Sequence, residues 1–341
     1  MHAVGELPRE AEYFVEKLCI LGRNIRSGIL DARERGMVSA DVDRHSAADT
    51  IYAVDQHVEP ILIDFCRKWS EEFPLTLVAE GIAGDDEEGM MTFPSGTMPE
   101  DAAFQLIVDP IDGTRELMFD KRSAWVLAGV APNLGLQTRL SHISVAMQAE
   151  IPTAKQTRCD VLWAGKGRGA MAVRDDLLTE ETQRIPITPS KADTINHGFG
   201  TITSFFPGTK VPAAELMELI ARQCAGDIDT ATPMVFDDQY MSTGGQFYEL
   251  IMGHDRFNAD LRLHFYRALK MQPGLCVHPY DMASTLIAQE AGVIVTDGLG
   301  NIPDGPLDVT TPLAWAGFAN SHLWKKIEPI MITFLKQYGA V

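Results

Sequence analysis

The sequence has few of the features that mark secreted, membrane-spanning or zinc-finger proteins. Its five cysteines are scattered and form no C-x-x-C pair, so neither a disulfide framework nor a zinc site is indicated. No apolar run approaches the roughly 20 residues of a membrane-spanning helix. The segment Met1–Glu6 has neither the basic nor the apolar part of a secretory signal. We therefore expect a cytoplasmic protein with reduced thiols.

Positive charge is also scarce. Lysine and arginine together number 29 against 47 acidic residues, which gives a formal net charge of -18. A field of this sign repels nucleic-acid backbones and anionic lipid surfaces, so we predict neither a nucleic-acid polymer nor a membrane as partner. A small phosphorylated metabolite remains compatible with the charge, provided that divalent cations lie between the two sets of negative groups.

The 341 residues predict an α/β protein with two halves. Apolar residues at three- and four-residue spacing predict a helix over 10–35, and a second helix follows Asp55. Short apolar runs from Leu75 onward predict buried strands, separated by a long exposed loop over 81–101. We predict an α+β half over 1–185 and an α/β half over 186–341, because helices and strands alternate in the second. The polar segment 175–193 is the predicted hinge.

The segment Ile107–Thr114 carries the most specific chemical signal. It reads IVDPIDGT, so an apolar strand runs into Asp109 and Asp112, which lie three residues apart. Pro110 restricts Asp109 to extended backbone, and Gly113 permits a tight turn. Such a turn can direct both carboxylates and the Ile111 carbonyl into one pocket, where these oxygen ligands suit magnesium. The alternative is that this sequence is only a good turn.

Two further acids stand at element ends. Glu80 follows the apolar run Leu75–Ala79, and Asp281 lies at the predicted start of a helix over 282–291. An acid at a helix N-terminus is commonly only a cap or a partner of the helix dipole. The informative feature is the order of the three segments along the chain: first Glu80, then Ile107–Thr114, then Asp281.

These segments resemble the inositol monophosphatase family, within the wider lithium-sensitive and fructose-1,6-bisphosphatase-like phosphatase group. The family pattern is a strand ending in Glu, a DPIDGT loop, and a later [WY]-D-x-A helix followed by EAG, here from Tyr280. Thr50–Glu59, Gly165–Ala170 and Ser242–Gly245 are similar to other family segments. The resemblance covers most of residues 10–335 and implies a layered αβαβα sandwich and a homodimer.

The resemblance also implies metal ligands and a mechanism. Glu80, Asp109 and the Ile111 carbonyl would hold a first Mg²⁺. Asp109, Asp112 and Asp281 would hold a second, which also touches the substrate phosphate. Two or three Mg²⁺ ions are expected, with Mn²⁺ as a substitute and Ca²⁺ or Li⁺ as inhibitors.

The implied catalytic residues are an activating pair and two of the metal ligands. Thr114, hydrogen-bonded to Asp55, would orient the water that attacks phosphorus. The metal ligands Glu80 and Asp112 are the other two catalytic residues that the resemblance implies. The substrate contacts predicted from the resemblance and from local charge are Asp112, Gly113, Thr114, Gly244, Gly245, Arg44, Arg256 and Asp281.

Three features depart from the family pattern. Gly81 stands where a second acid usually follows the ligand glutamate, and Arg44 stands where lysine is frequent near the substrate phosphate. The segment 253–279 is longer than in small family members and contains basic residues from His254 to Lys270. This group would receive a second phosphate or a sugar oxygen, or it is an ordinary solvated edge with local ion pairs.

We therefore predict a Mg²⁺-dependent phosphomonoesterase for a small phosphorylated polyol or sugar. The alternatives are a fructose-1,6-bisphosphatase or a 3'-phosphonucleotidase with the same metals, and a non-catalytic regulatory homologue. The last would be expected to have lost metal carboxylates, and all of them are present.

Overall fold

The computed structural model describes residues 6–36, 42–45, 50–52, 55–82, 89–226, 232 and 234–340. The helices are α1 Ala11–Glu34, α2 Asp55–Trp69, α3 Thr114–Met118, α4 Lys210–Ala225, α5 Thr243–Met252, α6 Arg262–Ala268, α7 Thr285–Glu290 and α8 Ser321–Tyr338. The first strands are β1 Val42–His45, β2 Thr50–Tyr52, β3 Leu75–Ala79, β4 Met90–Phe93, β5 Phe104–Asp112, β6 Ala124–Pro132, β7 Val145–Ile151 and β8 Arg158–Gly165. The others are β9 Ala170–Asp176, β10 Thr182–Ile185, β11 Gly198–Ile202, β12 Val235–Phe236, β13 Asp255–Asp260, β14 Ile294–Thr296 and β15 Trp315–Phe318.

Two large sheets organise these elements. An eight-stranded sheet has the order β10-β9-β8-β7-β6-β5-β3-β4, and a five-stranded sheet has the order β12-β11-β13-β15-β14. In the larger sheet only β3 and β5 are parallel neighbours. Their carboxyl ends, which carry Glu80 and the DPIDGT loop, therefore meet at one edge of the sheet.

The sheets and helices form five layers. Helices α1 and α2 cover one face of the eight-stranded sheet, and α5 and α7 contact both sheets from between them. Helices α4 and α8 contact the five-stranded sheet, from β11 and β15. This confirms the predicted α/β class and the αβαβα layering. The division into halves at residue 185 stays a prediction.

The outer core shows why α1 packs where it does. Its buried side chains recur at helical spacing, from Phe14 through Leu18, Leu21 and Ile25 to Ile29. The Phe14 ring packs edge-on against Phe104 of β5, with ring centroids 5.2 Å apart. Burial of apolar surface on this scale supplies most of the driving force for folding.

Several predicted elements differ from the structure. The predicted loop 81–101 contains β4, which pairs with β3, and the predicted hinge contains β10, which pairs with β9. Both strands are short and partly polar, so apolar periodicity does not reveal them. The predicted helix over 282–291 begins only at Thr285, so Asp281 lies in the turn before α7. None of the helices in the described ranges is long and apolar enough to cross a bilayer.

Candidate metal and substrate site

The DPIDGT loop acquires its shape from a bulge. Asp109 pairs with Leu127 but Asp112 pairs with Trp125, so β5 has one extra residue against β6. A bulge re-aims the side chains that follow it. Gly113 then adopts φ +95°, and a Cβ at this position would lie 3.1 Å from that of Ser242. Glycine is therefore required where the strand turns into α3.

Three carboxylates converge at this loop. Asp109, Asp112 and Asp281 each offer an oxygen, and these oxygens all lie within 4.8 Å of one another. Asp109 and Asp112 are buried, with 1% and 6% exposure. The same three residues are the predicted ligands of the second Mg²⁺. Asp109 and Asp112 at the end of β5 thus meet Asp281 from the turn before α7.

Asp112 is held by the start of α5. Its carboxylate accepts hydrogen bonds from the Ser242 hydroxyl at 2.8 Å and from the Gly244 and Thr243 amides at 2.6 and 3.3 Å. Burial raises the pKa of Asp112 to about 6, although these three donors oppose the shift. Neutral donors thus fix the orientation of Asp112 without neutralising its charge.

Asp109 is more deeply buried than Asp112, and its pKa is raised more strongly. Its carboxylate accepts the Ile111 amide at 3.0 Å. Burial raises the pKa of Asp109 well above the usual range, and the nearby charges of Glu80, Asp112 and Asp281 raise it further. Within the described ranges, no lysine or arginine forms an ion pair with Asp109 or Asp112. Buried like charges of this kind are stabilised by a divalent cation.

Glu80 lines the same cleft but stands outside the three-carboxylate group. The Tyr280 hydroxyl donates to its Oε1 at 3.4 Å and lies 3.2 Å from Nδ1 of His278. The next residue, Gly81, has φ +76°. This left-handed backbone favours glycine over an acid, which gives a physical reason for the departure from the family pattern.

Thr114 begins α3 and lines the cleft. Its hydroxyl donates to the Ile111 carbonyl at 2.7 Å, so the predicted metal-ligand carbonyl and the predicted activating hydroxyl are in contact. The side chains of Asp55 and Arg44 lie outside the described residues. The expected Thr114–Asp55 pair and the Arg44 contact with phosphate therefore stay predictions.

Gly244 and Gly245 are buried in the first turn of α5. The Gly244 amide is engaged by Asp112, and the Gly245 amide donates to the Ser242 hydroxyl at 2.8 Å. A Cβ on Gly245 would lie 2.4 Å from the Tyr240 ring, and one on Gly244 would lie 2.5 Å from Leu127. Glycine is therefore needed at both positions because the neighbouring side chains leave no room for a Cβ atom.

The basic residues of 254–270 do not form one cluster. His254 pairs with Glu249, and Arg256 contacts the Ser190 hydroxyl away from the carboxylates. His264 is buried against the Asp297 carbonyl at 2.7 Å. Of this group only Arg262 reaches the cleft. His254 therefore fits the alternative of an ordinary solvated edge with local ion pairs. Arg256 is not among the residues that line the cleft.

The cleft has a second wall that the sequence interpretation missed. Its enclosed volume is about 80 Å³, and the cleft continues into open solvent. Besides the acids, its lining includes Phe205, Phe206 and Arg262, with Leu275 and Cys276. Burial raises the pKa of the Cys276 thiol to about 12, so this cysteine is a protonated wall residue and not a nucleophile.

Little in the sequence indicates this part of the lining. The apolar run over 198–206 predicts a strand that includes Phe205 and Phe206, whereas β11 ends at Ile202 and both side chains line the cleft. The resemblance places Ser242 in a segment similar to one of the family but assigns no role to its side chain. The Ser242 side chain caps α5 and also donates to Asp112. Serine is a preferred residue at a helix N-cap, so the sequence does contain a signal for the capping role.

Comparison with solved structures assigns the fold. The chain superimposes on the IMPase of Thermotoga maritima with a TM-score of 0.58 and 15% identity, covering 95% of this chain and 99% of that one. The SuhB protein of Mycobacterium tuberculosis gives 0.61 and 15%, covering 97% and 99%. The fructose-1,6-bisphosphatase of Leishmania major gives 0.63 and 13%, covering 94% and 93%.

The chain therefore has the fold that inositol monophosphatases share with fructose-1,6-bisphosphatases, as the sequence resemblance implied. No family model matches the chain, and no curated protein matches it by sequence. At these identities the likeness establishes the fold alone.

Proposed function

We propose that this protein is a Mg²⁺-dependent phosphomonoesterase for a small phosphorylated polyol or sugar. The observation that carries the proposal is the group of three carboxylates, Asp109, Asp112 and Asp281, within 4.8 Å of one another in a cleft that opens to solvent. The likeness to inositol monophosphatases and fructose-1,6-bisphosphatases supports it at the level of fold.

The donor set fits a hard divalent cation. The ligand atoms are carboxylate oxygens, two of the acids are buried, and burial destabilises their charged forms. Asp109, Asp112 and Asp281 would hold one Mg²⁺, and Glu80, Asp109 and the Ile111 carbonyl a second. Bound there, Mg²⁺ would neutralise phosphate oxygens, activate water and stabilise the leaving alkoxide.

The chain's own residues do the positioning. Ser242 and the amides of Thr243 and Gly244 fix the Asp112 carboxylate. The Thr114 hydroxyl donates to the Ile111 carbonyl at 2.7 Å, and in this proposal it orients the attacking water. Phosphoryl transfer asks little covalent chemistry of a protein, so pre-organised carboxylates and hydroxyls are the groups that matter.

The proposal extends to the cellular setting. The protein acts in the cytoplasm as a homodimer, is inhibited by Li⁺ or Ca²⁺, and accepts Mn²⁺ in place of Mg²⁺. A fructose-1,6-bisphosphatase or 3'-phosphonucleotidase would use the same acids with a different leaving group.

The test is phosphate release from inositol, sugar and nucleotide phosphates, with and without Mg²⁺. Wild type should release phosphate only with Mg²⁺, and Asp112→Asn should lose this activity. Asp64→Asn is the matched control. Asp64 is an exposed acid on α2 whose ion pair with Lys68 should contribute little to stability. A folded wild-type protein that binds Mg²⁺ but releases no phosphate from any compound would favour the non-catalytic alternative.

A further inference from the structure

Glu290, the last residue of α7, binds the turn that joins β8 to β9. Its two carboxylate oxygens accept hydrogen bonds from the Gly167 and Gly169 amides, each at 2.7 Å. Both glycines have left-handed backbone, with φ +73° and +75°, and a Cβ at either position would meet no atom within 4 Å. Glycine is therefore favoured here by backbone conformation and not by lack of space. The turn directs two amides at one carboxylate, an arrangement that binds anions.

The position of Glu290 in its own helix makes this contact informative. A negative charge at a helix C-terminus opposes the helix dipole, so α7 itself does not favour an acid here. The contact with the turn does, because hydrogen bonds to an ionised acceptor are roughly twice as strong as neutral ones. The two bonds join residues 123 and 121 positions apart. They connect the C-terminal end of α7 to the eight-stranded sheet.

Helix α7 needs such a connection because it is short. It has six residues, so it spans about 9 Å, and a helix of this length is not stable alone in water. Its buried side chains include Leu286, Ile287 and Ala288, and the helix contacts α5 and strands β7, β8 and β9. Apolar burial is non-directional, so it holds α7 against the sheet without selecting one position along it. The hydrogen bonds of Glu290 restrict that position.

The turn before α7 carries Asp281. A hydrogen bond from the Ala283 amide to the Tyr280 carbonyl closes the turn at 3.2 Å. Within it, the Asp281 carboxylate accepts the His278 amide at 2.6 Å. The turn therefore orients Asp281 locally, and the distance from Asp281 to β5 depends on where α7 lies.

We propose that Glu290 is a positioning residue for the metal site: by fixing α7 to the β8–β9 turn, it holds Asp281 against the two acids of β5. The inference rests on the proposed Mg²⁺ site and adds a residue that does not line the cleft. Asp109 and Asp112 belong to β5 itself, whereas Asp281 belongs to the turn that leads into α7. Groups of a binding site must be held within about 0.5 Å of their productive geometry. A small displacement of α7 should therefore weaken Mg²⁺ binding.

The test is a calorimetric titration of Mg²⁺ into the metal-free protein. Glu290→Ala should bind Mg²⁺ about tenfold more weakly than wild type, the lower end of what losing a group that supports a metal ligand costs. The effect is moderate because the turn before α7 also rests on β6, where a Cβ at Gly129 would lie 3.2 Å from the Ala283 carbonyl oxygen. Glu290→Gln keeps one acceptor oxygen, so its loss should be smaller, and it serves as the milder variant if the alanine variant does not fold.

Asp281→Asn distinguishes positioning from general damage. If Glu290 acts through Asp281, then adding Glu290→Ala to Asp281→Asn should weaken Mg²⁺ binding no further, because the carboxylate that Glu290 positions is already gone. Independent effects of the two substitutions would add. Thermal unfolding of the metal-free proteins supplies the second measurement. A merely structural role of Glu290 would lower Tm in both backgrounds and leave the Mg²⁺ Kd unchanged.

Glu12→Gln is the matched control. Glu12 is an exposed acid that also binds the β8–β9 turn, through Arg168, but it belongs to α1 and not to α7. The substitution removes the same charge beside the same turn. It should leave the Mg²⁺ Kd within about twofold of wild type, as for surface changes remote from a site.

The outcomes separate this inference from the proposed function. Equal Mg²⁺ affinity of wild type and the Glu290 variants, or additive losses in the double variant, would overturn the positioning role and leave the Mg²⁺ site intact. The predicted pattern of Mg²⁺ binding in a protein that releases no phosphate would support the positioning role and contradict the phosphatase. No Mg²⁺ binding by wild type would overturn both.

Discussion

Two buried acids in this protein have opposite electrostatics. Asp112 in the cleft is 6% exposed and Asp175 on β9 is 7% exposed, yet the pKa of Asp112 is raised to about 6 and that of Asp175 is lowered to about 2. Burial raises both pKa values, but Arg23 and Arg26 donate hydrogen bonds to Asp175 and outweigh it. Among the residues that the structure describes, Asp112 receives only neutral donors. The arginine donors of Asp175 therefore have no counterpart at Asp112.

Two further buried acids share one feature of Asp175. Each forms an ion pair with an arginine from the chain itself, Asp160 with Arg174 and Asp260 with Arg262. Asp109 follows the Asp112 pattern. An acid whose charge is destabilised by the fold alone is what a site for an external divalent cation requires.

The largest expected effect comes from Asp109→Asn. It removes a carboxylate predicted to bridge both metals, so Mg²⁺-dependent phosphate release should fall by about 100-fold or more, the scale of one pre-organised electrostatic group. Steady-state kinetics with the best substrate measures it. The metal-free variant should unfold at the same temperature as wild type or higher, because a destabilised buried charge is gone. Retained turnover would place the chemistry elsewhere.

The converse substitution, Asp175→Asn, should act on stability. It leaves Arg26, which is 4% exposed, without its carboxylate, and breaking a buried pair costs about 3 kcal/mol. Urea denaturation measures the loss of unfolding free energy. Mg²⁺-dependent activity per folded molecule should stay near wild type; a large loss of kcat in the folded variant would mean that the two acid sets are coupled.

Acid pH sharpens the same contrast. The pKa of Asp175 is depressed to about 2 in the folded protein from its ordinary value near 4. Its contribution to stability is therefore present above pH 4 and is lost as pH falls toward 2. Equilibrium unfolding from pH 5 to pH 2.5 should show a smaller acid-induced loss in Asp175→Asn than in wild type. Identical slopes would contradict the assigned ion pair.

The smallest effect is expected from Arg256→Gln. The sequence suggested a substrate contact, but the structure places this side chain against Ser190 and not in the cleft. Its kcat/KM should remain within about twofold of wild type, as for surface changes remote from a site. A selective rise in KM would restore the original interpretation.

Local patterns predicted the part of the site that lies on single segments. The DPIDGT loop, the glutamate after β3 and the later Tyr280–Asp281 pair were all readable, because strand ends and glycine turns have sequence signatures. The α/β class followed from the alternation of helices and strands, whereas the αβαβα layering followed from the family resemblance alone.

The rest depends on contacts between distant segments. Nothing near Phe205 indicates that Arg262 will lie behind its ring, and the Asp112–Ser242 bond joins residues 130 positions apart. Short partly polar strands such as β4 and β10 are stabilised by their neighbours in the sheet and not by their own composition. Whether a buried acid has an arginine partner, which distinguishes Asp175 from Asp112, is likewise a property of the folded chain.

The most direct test of the account is a calorimetric titration of Mg²⁺ into the metal-free protein, for wild type, Asp112→Asn and Asp175→Asn. The account predicts that wild type and Asp175→Asn bind Mg²⁺ alike, and that Asp112→Asn binds it far more weakly. Equal binding by all three proteins, or no binding by wild type, would contradict the claim that the cleft acids are held for a divalent cation.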